Sequence, residues 1–103
     1  MSLDIAILNE EGTPYSEISV SPDNHFLLMK QAEMLELGQF LRMRDYYEDV
    51  DYTVHETLLL QQETETLARD CAGEPDFCGL VDTIQDLIRH AVNDEKAVVA
   101  IAD

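Results

Sequence analysis

Apolar and polar residues alternate one by one where the chain begins. Leu3, Ile5 and Ile7 fall on one side and Asp4, Ala6 and Leu8 on the other, the period of a strand. The cluster Asn9-Glu10-Glu11-Gly12-Thr13-Pro14 reads as a turn. Alternation resumes from Tyr15 to Val20, with Ile18 and Val20 opposite Glu17 and Ser19. Two such runs across one turn predict a hairpin with a longer loop.

The period then changes. Ser21-Pro22-Asp23 carries a capping hydroxyl, a proline suited to the first helical position and an acid for the positive helix end. His25, Leu28, Met29, Ala32 and Leu35 follow at helical spacing, which predicts a helix over about 22–37 closed by Gly38. Residues 39–44 alternate again, which fits a short strand, although the same residues also suit a helix. Asp45 to Tyr52 is polar and reads as a loop or a loose turn of helix.

Thr53-Val54-His55-Glu56 has the form of a capping box. It opens a second helix whose inner stripe is expected at Leu60, Thr64, Leu67 and Cys71, extended by Val54 and Leu58. Pro75 and Asp76 start a third, with Phe77, Leu80, Val81, Ile84, Leu87, Ile88 and Ala91 on its apolar face. The run Ala97 to Ala102 is short, apolar and partly β-branched, a strand covered on both faces whose best partner is the N-terminal strand. The predicted fold is α+β: a small mixed sheet packed against three helices in a single globular unit, residues 1–103. The sheet would hold the N-terminal hairpin, the C-terminal strand and the candidate strand at 39–44.

Charge narrows the function classes. The chain carries 22 acidic residues against six Lys and Arg, a formal net charge of -16. Hydrophobic residues still make up 46 %, so a real core is expected rather than an acidic disordered chain. Nucleic-acid binders neutralise phosphates with Lys and Arg. Here Lys30, Arg42, Arg44, Arg69, Arg89 and Lys96 are scattered, so neither nucleic acid nor an anionic membrane is expected as a partner. A basic protein surface is favoured, because opposite charge speeds encounter. Acidity also keeps any small protein soluble, which is the plainer account of the same number.

No segment approaches the length of a membrane span and no leader-like pattern opens the chain, so a cytoplasmic protein with reduced thiols at Cys71 and Cys78 is expected. The two cysteines do not form a C-x-x-C pair, and both fit as small core residues. Asp82, Asp86 and His90 share one helical ridge, but a metal would need a further ligand that the sequence does not nominate. The glycines and serines form no phosphate loop and no nucleophile motif, so no cofactor is implied.

The most unusual segment is Asp45, Tyr46, Tyr47, Glu48, Asp49, Val50, Asp51 and Tyr52. It packs four carboxylates and three tyrosines into eight residues. Tyrosine is enriched at interfaces, and surrounding carboxylates select Arg and Lys. In size and acidity the chain resembles small bacterial inhibitor or immunity proteins that mask basic enzymes. The leading expectation is therefore a non-enzymatic, acidic protein-binding module using Asp45, Tyr46, Tyr47, Glu48, Asp49, Asp51 and Tyr52. The alternatives are a self-associating subunit, such as a homodimer, and a small enzyme or metal-binding protein built on Asp86 and His90.

Overall fold

The computed structural model describes residues 3–71 and 74–102. In chain order the elements are β1 (Leu3–Leu8), β2 (Pro14–Val20), α1 (Pro22–Met34), α2 (Gly38–Leu41), β3 (Val50–Tyr52), α3 (Val54–Arg69), α4 (Pro75–Asn93) and β4 (Val98–Ala102). The fold is α+β: a four-stranded sheet in the order β2-β1-β4-β3 packed against helices. Each of its three pairings is antiparallel, so the expected mixed sheet narrows to an antiparallel one.

Register explains the layering. Ile5 faces Ile18 and Ala100, and Ile7 faces Val98, so these side chains share one face of the sheet. They join Leu3, Val20 and Tyr52 in one buried cluster with Leu28, Phe40, Leu60, Leu67, Val81, Ile84 and Ile88 of the helices. The other face carries Asp4, Ala6, Glu17, Ser19, Asp51, Val99 and Ile101. Ala6 and Val99 are buried, yet they stand outside the cluster that the helices complete. The helix layer therefore covers one face. β4 lies between β1 and β3, the central place its unbroken apolar run predicts, but the expected cover on both faces is corrected to helices on one, the side of Val98 and Ala100.

Local sequence signals set several boundaries. The Ser21 hydroxyl accepts from the Asn24 amide at the start of α1. Thr53 and Glu56 form the reciprocal capping box of α3. Gly38, however, does not close α1. That helix stops at Met34, and Glu36 takes the left-handed conformation at φ 56°. Leu37 N–H then reaches back to the Ala32 carbonyl at 2.8 Å. The same turn ends α4, where Glu95 sits at φ 55° and Lys96 N–H bonds the Ala91 carbonyl. A glycine avoids the steric cost that a side chain meets there, roughly 1–2 kcal/mol.

Two expectations for the middle of the chain are corrected. Residues 39–44 are not a strand: Gly38–Leu41 form α2 and the fourth strand is β3. The cause lies far away in sequence. The Glu63 carboxylate accepts from Gln39 N–H (2.9 and 3.0 Å, one to each oxygen) and from Phe40 N–H (3.0 Å). It supplies the anion that the uncapped N-terminus of α2 lacks. Val54 and Leu58 do not extend the inner stripe of α3 either, since both are exposed. The buried stripe is Thr57, Leu60, Thr64 and Leu67. The two threonines are tolerated inside because each hydroxyl donates to the carbonyl four residues back.

Candidate functional site

The tyrosine-and-acid segment is a turn at 45–48 that leads into β3. Its residues divide between fold and surface. Tyr52 is buried, and its hydroxyl donates to the Gln39 carbonyl at 2.6 Å. Burial pushes this phenol far above the usual tyrosine range, against the opposing pull of the Arg42 guanidinium. Arg42 lies 4.6 Å over the Tyr52 ring, pairs with Glu56 at 3.0 Å and donates to the Asp51 carbonyl at 2.8 Å. Glu56 is held below the usual carboxylate range, first by the Thr53 amide and further by Arg42, with desolvation opposing.

Tyr46 is half-buried. Its ring meets His25 edge-on at 4.9 Å, and its hydroxyl donates to the Val20 carbonyl. His25 is itself buried, with Nε2 donating to the Met43 carbonyl at 2.6 Å. Asp45 accepts from Tyr47 N–H within the turn, and Asp49 accepts from Ala102 N–H at 2.7 Å. Tyr47, Glu48 and Asp51 present side chains to solvent, Tyr47 with 66 % of its surface exposed. The segment thus fastens the sheet's β3 margin to α1 and α2. Fewer of its side chains face outward than composition implies.

The ridge Asp82, Asp86, His90 is exposed along its whole length. Among the described residues no three His, Cys, Asp or Glu side chains converge as a metal site requires. Cys71 and Cys78 are not free thiols. They are joined in a disulfide, with Cα atoms 5.8 Å apart, across the connection from α3 to α4. Sequence spacing leaves this pairing open. It becomes possible because the α3–α4 hairpin brings the end of one helix to the start of the next.

Sequence reading also missed two surface features. Val54, Leu58 and Val92 line a shallow groove of about 480 Å³ with His55 and Glu95. Val54 and Leu58 escape an apolar reading as surface because they sit one turn apart beside the buried stripe. The second is β2, which lies at the sheet margin and is exposed at Pro14, Tyr15, Ser16, Glu17 and Ser19.

Charge is distributed outward. Every described acidic residue is exposed except Asp4, Glu56 and Glu63, which are half-buried. Three of the basic residues are engaged internally, in Arg42–Glu56, Arg44–Glu33 and Lys96–Glu10. No helix among the described residues is long and apolar enough to cross a membrane. No family model, curated protein or solved structure matches the chain.

Proposed function

We propose that this chain is a non-enzymatic, acidic module that binds the basic surface of another protein. One observation carries the reading: a net charge of -16 is displayed outward on a well-packed core, while several of the few cations are already paired with acids of the same chain. Such a surface attracts cations and repels polyanions over several ångströms beyond contact. Masking of a basic enzyme is the concrete version of this role. Among the described residues the exposed ridge at Asp86 and His90 meets no converging third ligand, so it adds nothing to an enzymatic reading. A persistent disulfide fits an oxidising compartment, so the cytoplasmic expectation loses one of its supports.

The test is saturable complex formation with a basic protein partner purified from the native cell. A defined stoichiometry is expected, with an affinity that falls steeply as salt rises. Binding to duplex DNA at physiological salt, with no basic protein retained at any ionic strength, would contradict the proposal.

A further inference from the structure

We infer that the free margin of β2 is where the partner docks, by adding an extended segment as a fifth strand whose side chains alternate between apolar and basic. This rests on the acidic-module reading and gives it a place and a geometry. β2 closes one side of the sheet, runs seven residues from Pro14 to Val20, and is hydrogen-bonded to β1 on its other side. In an antiparallel margin strand, alternate residues turn both N–H and C=O outward. Proline is confined to the first position of β2, the register breaks beside it at Tyr15, and from Ser16 to Val20 the strand pairs regularly with no lysine or arginine to guard it. The described side-chain bond at its far end is that of the Tyr46 hydroxyl to the Val20 carbonyl.

The two faces of β2 state what an added strand must carry. On the helix side, half-buried Ile18 packs against the core, so an apolar side chain beside it would extend that layer. On the other side stands exposed Glu17, next to Ala6 in the register and two residues from Ser19, whose hydroxyl donates to Asp4. A lysine or arginine opposite Glu17 is favoured. Lys96, at the hairpin loop, is tied to Glu10.

A second copy of this chain fits poorly. A symmetric antiparallel pairing over the full length of β2 centres on Glu17 and sets it against its own counterpart. Each copy also brings a charge of -16. Charge complementarity therefore selects a foreign strand over a homodimer.

The test uses the full chain and a short synthetic peptide alternating lysine and valine, with the same peptide N-methylated along its backbone. Methylation keeps charge and side chains but removes the amide donors. Expected is saturable binding of the first peptide, slowed amide exchange within residues 15–19, and a loss of at least about tenfold on methylation. Glu17→Lys, an exposed change that leaves the backbone intact, should weaken the unmethylated peptide by about five- to tenfold. Equal binding of both peptides, with exchange altered at Tyr47 and Glu48 instead, overturns the β2 assignment and leaves the acidic-module reading standing. Failure of both peptides to bind at low salt overturns the two together. Concentration-dependent dimerisation that protects β2 without peptide also overturns the assignment, in favour of a second copy.

Discussion

The two margins of the sheet are built in opposite ways. β3 is three residues long and β2 is seven. Around β3 the surrounding chain closes in. Arg42 donates to its Asp51 carbonyl and covers the Tyr52 ring, Tyr52 bonds α2, and Asp49 ties the preceding turn to β4. Around β2, apart from its ladder to β1 and the Ser19–Asp4 bond on that same side, the described hydrogen bonds from other segments reduce to the Tyr46 hydroxyl at its last carbonyl. A margin strand left with free amides is a template for pairing, and proteins usually block it. One margin is thus secured by side chains from the surrounding chain, and the other is the place where the proposed strand addition would occur.

The comparison breaks most severely at Glu63, whose carboxylate anchors α2 beneath the closed margin. Glu63→Ala should cost about 3 kcal/mol, since it strands two amides that bond to a charged acceptor. Urea unfolding measures it. Reduction of the Cys71–Cys78 bond acts away from both margins and serves as a control. It should cost on the order of 2 kcal/mol through the entropy of the unfolded chain, read as a lower denaturation midpoint in reductant, with β2 and β3 exchange ranked as before.

Smaller changes sharpen the contrast. Tyr52→Phe removes the shorter of two bonds to the Gln39 carbonyl, which keeps the Arg42 N–H at 3.3 Å, and should cost about 1 kcal/mol. In the intact protein Tyr52 should be the last tyrosine to ionise in an alkaline absorbance titration, because burial favours the neutral phenol. Arg42→Ala removes a partly exposed ion pair together with the Asp51 bond, a loss of about 1 kcal/mol, and should speed exchange at β3 while leaving β2 unchanged. The mildest effect is that of pH at Glu56. Its folded pKa lies below its unfolded one, so its stabilisation is present above the ordinary carboxylate pKa and fades as pH falls through the folded value. Glu56→Gln should flatten that part of the acid limb in a stability-against-pH series.

Legibility in the sequence follows the range of the interactions. The capping box at Thr53 and Glu56, the apolar face of α4 and the pairing of β1 with β4 rest on spacing within a few residues or on unbroken apolar runs, and they appear where expected. The region 38–52 depends on contacts that no local window contains. Glu63 converts an alternating segment into α2 from more than twenty residues away, with a separation of 24 to Gln39. Arg42 and Tyr52 then fix β3 in what reads as a polar loop. The same limit applies to the candidate site. The tyrosine-rich composition from Asp45 to Tyr52 was visible, but not that Tyr52 and Tyr46 turn inward to bond the backbone. The open margin of β2 was invisible for another reason: strand alternation reveals two faces, whereas edge or centre is decided by the strand order of the whole sheet.

The most direct measurement is residue-resolved amide exchange on the intact chain, alone and with the alternating lysine–valine peptide. Alternate amides of β2 should exchange quickly in the free protein and slow when the peptide is present, while β3 stays as it was. Protection that appears at the 45–48 turn instead, or β2 amides already slow in the free monomer, would contradict an open margin awaiting a basic strand.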